Sequence, residues 1–304
     1  MSPDEPDRDP NRPQPPRDAE FEPVSGEAYD PAPPSEPYIP MPGEYAPRGD
    51  YQARDAQRNL DLDLGRIKRR KRYGFVLTTL SVIFVAFFIV PVTWVGAYLF
   101  IDAPATFLMM QRAAEGQTIQ HQPISITRMS PHIVRSVIAA EDANFCTHHG
   151  FDVEAIQDAI ESNADGEGTI RGGSTISQQT AKNLFLWPQR SWLRKGLETY
   201  FTALIEFMWP KRRIMEHYLN VAEWGDGIFG VQAAAQARFG VDAEDLTPLQ
   251  AARLAAVLPS PNRYRADNPG PYVRRQSARI VSRAQVVRNE GMAGCVLTLD
   301  RQEG

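Results

Sequence analysis

Two short stretches decide how this chain is interpreted: EDANFCTHHG at residues 141–150 and GGSTISQQTAKN at residues 172–183. The first places two adjacent carboxylates directly after an apolar segment with helical spacing. The second opens with two glycines and is rich in hydroxyl and amide side chains. Both stretches follow a long uncharged segment, so the chemistry that they indicate has to be considered together with a membrane.

The carboxylates of the first stretch are predicted to stand at the end of a helix. Ser130-Pro131 is typical of a helix start, and apolar residues recur at helical spacing from Ile133 to Ala140. Glu141 or Asp142 could then face a partly desolvated cleft, where burial raises a carboxyl pKa and suits a general acid or base. A solvated acidic helix end explains the same pattern equally well.

The second stretch predicts a helix from Ser174 to Leu186. Glycines ahead of a Ser-Thr helix start can present backbone N–H groups to an anion, although a polar surface helix with a serine cap has the same sequence. Four polar side chains are expected on the solvent-facing side of this helix: Gln178, Gln179, Lys182 and Asn183.

A longer helix is predicted from a cap at Ser191 to about Met208. It keeps apolar residues at helical spacing and carries Arg194, Lys195 and Glu198. Arg194 and Glu198 are four residues apart and fit an ordinary surface ion pair. They equally fit a cationic clamp for phosphate beside a second carboxylate.

The remaining patterns after residue 102 are also mostly helical, including a short helix at 152–163, and no long strand or internal repeat is visible. The spacing around His148 and His149 does not match a metal motif, and no Gly-x-Ser-x-Gly elbow or phosphate-binding Walker loop occurs. The apolar run that includes Trp187 and Trp192 fits either core packing or contact with a membrane surface.

The N-terminal part predicts a membrane anchor behind a disordered arm. Residues 1–65 contain 14 of the 25 prolines and a net charge of −9, so they are predicted to be disordered, as a solvated tail or a recruitment arm. Residues 66–72 carry six basic groups, and residues 73–101 are 29 positions without a charge. A helix crosses a bilayer with about 20 residues, so 73–101 is predicted to be one transmembrane helix, which Pro91 could kink or end early. The basic block predicts a cytoplasmic N-terminus, with residues 102–304 on the other side.

The outer part of the chain, residues 102–304, is nearly neutral, with 21 basic and 22 acidic residues. This balance argues against nucleic acid as a partner, and any anion site has to be built locally. Cys146 and Cys295 would lie in an oxidising compartment under the predicted topology. They could form a disulfide, but sequence does not show that they are close in space.

The order of the motifs is more specific than any one of them. EDANFCTHHG and GGSTISQQTAKN are followed by RKGLE at 194–198, KRRIMEHYLN at 211–220 and LAAVLPSPNRY at 254–264. With these five motifs in order over about residues 125–290, the chain resembles the peptidoglycan glycosyltransferase family 51. The run at 220–240 resembles its monofunctional members. The resemblance implies an all-α, lysozyme-like glycosyltransferase domain with a small membrane-proximal lobe, preceded by one transmembrane helix.

The resemblance also implies a reaction: polymerisation of lipid II into β-1,4-linked glycan, with inversion at the anomeric carbon and release of undecaprenyl pyrophosphate. Such a displacement needs a base for the attacking hydroxyl and stabilisation of the leaving group. By motif position, Glu141 is expected to be the general base. Glu198 is expected to be a second carboxylate that aids pyrophosphate departure directly or through a divalent metal, Mg²⁺ or Mn²⁺. The positions expected to bind substrate are Ser174, Thr175, Gln178, Lys182, Asn183, Arg194 and Lys195.

Location and partners follow from the same resemblance. No tightly bound cofactor is expected, and Asp142, Phe145 and His148 are expected to shape the first motif rather than to react. The domain is expected to be periplasmic and held at the inner membrane, with lipid II and the growing lipid-linked glycan as partners. Other cell-wall synthesis or division proteins are further candidate partners.

Two other functions compete with polymerisation. A lysozyme-like lytic enzyme would cleave the same glycan on a similar helical fold, but it has no need for Lys182, Arg194 and Lys195 beside a pyrophosphate. A non-catalytic membrane scaffold would recruit partners through the arm, and loss of Glu141 or Glu198 would have favoured it. Both carboxylates are present, so the sequence favours the polymerase.

Overall fold

The computed structural model describes residues 37, 48–157 and 173–297. Backbone contacts divide the chain into two units, Met1–Arg72 and Tyr73–Gly304. The described residues are mostly helical, with three very short strands, which confirms the predicted all-α class. The core, the candidate site and the cavities considered below belong to the second unit.

One long helical segment forms the predicted anchor. It comprises α1 (Arg48–Phe84), a π-helical turn (Val85–Ile89) and α2 (Val90–Tyr98). Among the described residues, this is the only helix that is long and apolar enough to cross a membrane. Every side chain in residues 73–90 is exposed in the structure, as expected of a segment that faces lipid.

The helix begins earlier than the sequence analysis predicted. Residues 48–65 were expected to belong to the disordered arm, whereas α1 already includes them. The last proline of the arm is Pro47, and the residues after it include good helix formers such as alanine, glutamine, arginine and leucine. Because they continue a helix that is already formed, they add turns without a new nucleation cost. The expectation for residues 1–36 and 38–47 lies outside the described residues.

Pro91 does not end the anchor helix, which continues to Tyr98. Because proline has no N–H, the carbonyl of Phe87 four residues earlier loses its helical donor. The backbone widens just before Pro91 into the π-helical turn, and the Tyr200 hydroxyl donates a hydrogen bond to the Phe87 carbonyl. A group of the outer domain thus satisfies the acceptor that proline leaves free.

The outer domain consists of short helices connected by loops. They are α3 (Phe107–Ala114), α4 (Pro131–Glu141), α5 (Ile176–Phe185), α6 (Trp192–Met208), α7 (Lys211–Val221), α8 (Val231–Phe239), α9 (Pro248–Val257) and α10 (Pro271–Asn289), with 3₁₀ turns at Ile126–Arg128 and Ala243–Asp245. The predicted caps are confirmed: Ser130 accepts a hydrogen bond at the start of α4, and Ser191 does so at the start of α6. Of the helix predicted at 152–163, residues 153–157 are helical, Asp152 directly precedes them, and 158–163 lie outside the described residues.

Two groups of helices make the core. Helices α4, α9 and α10 pack against one another, and α5 packs against both α6 and α7. The largest fully buried side chains include Trp224, Tyr218 and Phe145. The end of α4 is hydrogen-bonded to α5, so it lies where the two groups meet.

A small sheet, which the sequence patterns did not predict, connects the segment between α3 and α4 with the segment between α7 and α8. Strand β1 (Gln120–His121) pairs in parallel with β3 (Ile228–Phe229), and β2 (Glu223–Gly225) pairs antiparallel with β3. Strands of two or three residues are too short to show an alternating pattern. Gly227 turns the hairpin at φ +69°, and a Cβ there would lie 2.5 Å from the Thr118 carbonyl oxygen, so this position requires glycine.

The end of the anchor is part of the domain's packing. Trp94 lies edge-on to Phe185, with ring centroids 5.3 Å apart. The carbonyl of Tyr98 accepts hydrogen bonds from His217 Nε2 at 2.7 Å and Arg213 Nε at 3.0 Å. Since burial lowers the pKa of His217 to about 4, its ring is neutral and donates through Nε2. These contacts fix the end of the anchor against the domain that follows it.

Cys146 and Cys295 form a disulfide across 149 positions of sequence. The structure thus settles whether these two cysteines pair, which the sequence left open. The bond ties the segment after α10 to the loop EDANFC, directly beyond the end of α4. The loop that carries the first motif is therefore held covalently from the far end of the fold.

Candidate active site

Glu141 is the last residue of α4 and is half-buried. Its Oε2 accepts a hydrogen bond from Gln179 Nε2 at 2.9 Å. Burial raises the pKa of the Glu141 carboxyl, and the neighbouring charge of Asp142 acts in the same direction. The Gln179 hydrogen bond and the positive charge of Lys182 oppose this increase without cancelling it. The structure thus places a carboxyl with a raised pKa at the junction of α4 and α5.

Asp142 has a structural role in the same junction. Its buried carboxylate accepts a hydrogen bond from His148 Nε2 at 2.9 Å and from the backbone N–H of Ile176 at 2.9 Å. The other ring nitrogen of His148 accepts from the Gly150 N–H, so Nε2 carries the proton. The expectation that His148 is a structural hydrogen-bonding group is consistent with this geometry.

The start of α5 is not an open cradle for an anion, which corrects one interpretation of the Gly-Gly-Ser-Thr sequence. The Asp142 carboxylate takes the Ile176 N–H. Thr175 and Gln178 form a capping box, in which each side chain accepts a hydrogen bond from the other residue's backbone N–H. The helix start is therefore already occupied by a carboxylate of this chain, in the position that favours negative charge.

The capping box also corrects the expected exposure of Gln178, which is buried rather than solvent-facing. Its Oε1 is used by the Thr175 N–H at 3.0 Å, and the Thr175 hydroxyl donates to the Gly150 carbonyl at 2.7 Å. These two residues, which were expected to bind substrate, have side-chain oxygens that hold the local backbone.

A cleft of about 480 Å³ adjoins this junction. The predicted site residues that line it are Ser174, Gln178, Lys182, Asn183, Arg194, Lys195 and Glu198. Glu141 and Thr175 line a smaller recess of about 130 Å³, and Ser174 lines both spaces. The structure thus brings the predicted residues of α5 and α6 to one cleft and places Glu141 beside it.

Glu198 is bound to two cations. It is 4% exposed; its Oε2 accepts from Arg194 Nη1 at 2.9 Å, and its Oε1 accepts from Lys195 Nζ at 2.5 Å. The pair of Arg194 and Glu198 is therefore buried in the cleft wall and is not an ordinary surface ion pair. Arg194 keeps a buried Nε without a hydrogen-bond partner in the described part of the chain.

The cleft is strongly positive. Four cationic side chains line it, from Lys182, Arg190, Arg194 and Lys195, against the single carboxylate of Glu198. The Lys182 ammonium makes no hydrogen bond or ion pair with residues 48–157 or 173–297, and burial lowers its pKa. Desolvated cations in such an arrangement can bind a multiply charged anion such as a pyrophosphate.

Two residues of the site were missed by the sequence analysis. Gln179 was placed only on the solvent-facing side of its helix, yet it bonds Glu141. It lies three and four positions before Lys182 and Asn183, on the same face of the helix, so their expected role in substrate binding could have indicated it as a site residue. Arg190 lies in the loop between α5 and α6, and no local pattern indicates that it turns into the cleft.

The described residues do not fit a metal site built by the protein. No three acidic, histidine or cysteine side chains gather in the parts of the chain that the structure describes. Both oxygens of Glu198 already accept hydrogen bonds from cations. A role for Mg²⁺ or Mn²⁺ stays a prediction, and no step below is routed through a metal.

Comparison with known proteins agrees with this geometry. The model of the transglycosylase family matches residues 109–289. The biosynthetic peptidoglycan transglycosylase of Caulobacter vibrioides is 52% identical over 233 residues, which are 77% of this chain and 100% of that protein. Its namesake in Rhodospirillum centenum is 48% identical over 228 residues, 75% of this chain and 95% of the relative. The biosynthetic peptidoglycan transglycosylase of Pseudomonas aeruginosa is 52% identical over 194 residues, which are 62% of this chain and 83% of the relative. The chain therefore belongs to the transglycosylase family of glycosyltransferase enzymes.

Proposed function

We propose that this enzyme polymerises lipid II into β-1,4-linked glycan strands of peptidoglycan and releases undecaprenyl pyrophosphate. One observation carries the proposal: Glu141, whose carboxyl has a raised pKa, lies beside a cleft that is lined by four cationic side chains and one carboxylate. The relatives named above, as biosynthetic peptidoglycan transglycosylases, support the same substrate class.

In the proposed reaction, Glu141 is the general base. Its ionised carboxylate takes the proton of the acceptor's 4-hydroxyl while that oxygen forms a bond to the anomeric carbon of the donor. Attack opposite the leaving group converts the α-linked donor into a β-glycoside, which is inversion. A raised pKa makes the carboxylate a stronger base at neutral pH. Gln179 holds the carboxylate in place through its 2.9 Å hydrogen bond.

The leaving pyrophosphate is proposed to occupy the cationic cleft. When the bond from the anomeric carbon to the phosphate oxygen breaks, negative charge develops on that oxygen. Lys182, Arg190, Arg194 and Lys195 would stabilise it electrostatically. Glu198 contributes by holding Arg194 and Lys195 in fixed positions, because both of its oxygens are bonded to them.

The enzyme is proposed to work at the inner membrane, with its N-terminus cytoplasmic and its outer domain periplasmic. The basic run at 66–72 supports the orientation, and the disulfide suits an oxidising compartment. On α6, Trp192 is 93% exposed and Phe207 is 90% exposed, so the outer domain presents large apolar groups near the anchor helix. Protease added to intact spheroplasts should remove the outer domain; protection of that domain would contradict the orientation.

The product of the reaction tests the proposed function. Detergent-solubilised protein is incubated with labelled lipid II, and the products are separated on a gel. A ladder of long glycan that muramidase digests is the expected result. Cleavage of preformed glycan without any polymer would instead support the lytic alternative. The absence of both activities would contradict the proposed reaction.

A further inference from the structure

A second cavity lies among α4, α10 and the start of α9, and it shares no lining residue with the candidate active site. Its volume is about 90 Å³. At roughly 30 Å³ per molecule of liquid water, this leaves room for a group of a few non-hydrogen atoms. Its lining consists of His132, Arg135, Ser136, Pro248, Val281, Ala284, Gln285 and Arg288.

Arg135 is the unusual member of this lining. It is only 5% exposed, and its guanidinium makes no hydrogen bond or ion pair with the residues that the structure describes; its Nη2 is completely buried. Burial and the like charge of Arg288 lower the pKa of Arg135, but an arginine stays protonated at neutral pH. A buried guanidinium without a counter-charge is destabilising, and no described residue neutralises the charge of Arg135.

The rest of the lining has matching chemistry. It contains no carboxylate among the described residues, and its polar members offer donors: a second guanidinium, an imidazole, a hydroxyl and an amide. The pKa of His132 is lowered by burial and by the positive charges of Arg135 and Arg288. The described lining therefore carries positive charge and no carboxylate, and the Arg135 guanidinium has no counter-charge among the described residues.

We propose that this cavity binds a small oxyanion, a phosphate or a carboxylate, with the Arg135 guanidinium as its principal donor. A planar guanidinium matches two oxygens of either group with parallel hydrogen bonds. The apolar walls from Val281 and Ala284 exclude water on one side, which strengthens the interaction. The bound group would join α4, whose last residue is Glu141, to α10.

The test compares anions at constant ionic strength on the full-length protein in detergent. Thermal unfolding is followed in chloride, phosphate and acetate for the protein that keeps Arg135 and for the Arg135→Met variant. Both are made in a Lys195→Gln background, because the cationic cleft could bind phosphate too. Phosphate or acetate should raise the Tm saturably when Arg135 is present. In Arg135→Met, binding should be roughly tenfold weaker or undetectable.

The chloride arm makes an opposite prediction for the same variant. Without an oxyanion, Arg135→Met should be as stable as the parent or more stable, because it removes an unneutralised buried charge. A clear loss of Tm in chloride would mean that Arg135 already has a partner within the protein, and it would overturn the proposal. A response to acetate alone would show that the site prefers a carboxylate, and a response to phosphate alone would show that it prefers a phosphate; either supports the proposal.

The NMR signals of the His132 imidazole ring provide a readout specific to this cavity. They are assigned by their loss in His132→Gln. Phosphate or acetate should shift these signals in the parent protein and leave them in place in Arg135→Met. If the methionine variant does not fold, Arg135→Lys keeps the charge but lacks the planar fork, and a weaker shift is expected. Signals that respond to neither anion in the folded parent would contradict the site.

Discussion

The pKa of the Glu141 carboxyl is set by opposing local effects that can be separated by mutation. Burial and Asp142 raise its pKa, whereas Gln179 and Lys182 lower it. A base must be deprotonated to act, so turnover should fall as the pH is lowered through the raised pKa of this group. The acid limb of the rate profile should accordingly lie above the ordinary glutamate value of 4.5.

Removal of the Gln179 hydrogen bond tests this balance. In Gln179→Leu, the carboxylate loses a donor that favours its charged form, so its pKa should rise and the acid limb of kcat/KM should move to higher pH. Gln236→Leu, at an exposed position of α8, is the matched control and should leave the limb in place. An acid limb that does not move in Gln179→Leu would contradict the role assigned to this contact.

The cations of the cleft should act mainly on the chemical step. Lys195→Met removes a charge that we assign to the leaving pyrophosphate, and a charge-assisted hydrogen bond contributes about 1.5–3 kcal/mol. We therefore expect kcat to fall by roughly tenfold to a hundredfold. Steady-state kinetics with lipid II measure this, and Arg275→Met on the exposed side of α10 should behave as the wild type. A change confined to KM would mean that Lys195 binds substrate and leaving group equally.

Among the elements, α4 and α6 show how much the sequence could predict. Their starts at Ser130-Pro131 and Ser191 follow from local capping chemistry, so the predicted caps agree with the structure. The start of α5 was also predicted, at Ser174 against the observed Ile176, but one of its hydrogen-bond acceptors could not be. Its first N–H groups are satisfied partly by Asp142, which lies 34 positions earlier, and such a contact leaves no local pattern.

Asp142→Asn tests the junction of α4 with α5. The amide keeps the shape but loses the charge that binds the Ile176 N–H and His148. We expect the free energy of unfolding to fall by about 1–3 kcal/mol, with a loss of activity because α5 carries the cleft residues. Denaturant unfolding measures the change. Asp226→Asn, at an exposed position of the β2–β3 hairpin, should alter stability by less than about 0.5 kcal/mol. Equal effects of the two variants would contradict the proposed junction.

At the scale of the whole molecule, contacts between distant parts of the sequence hold both the end of the anchor helix and the loop after Glu141. The anchor helix ends in contacts with α7 through Tyr98, and the disulfide fixes the segment after α10 to Cys146. Composition predicted the anchor, because a long uncharged run is a strong local signal. It could not predict the disulfide, since the two cysteines are brought together only by the complete fold.

Loss of the disulfide should therefore affect both stability and catalysis. Cys146→Ser with Cys295→Ser should lower the free energy of unfolding by about 2–5 kcal/mol, mainly because the unfolded chain is less constrained. The activity of the folded remainder should also fall, because the loop after Glu141 is no longer tethered. Oxidised and reduced wild-type protein provide the matched comparison, and an identical stability of both forms would contradict the bond.

The most direct test of the proposed mechanism is the turnover of lipid II by Glu141→Gln, measured together with the unfolding temperature of that variant. A carboxyl whose pKa is raised by folding destabilises the folded state in its ionised form, so glutamine should not lower the Tm at neutral pH. We predict this unchanged or higher Tm together with a loss of roughly 10²–10⁴-fold in kcat. Near-normal glycan synthesis by the folded variant would contradict the assignment of Glu141 as the base.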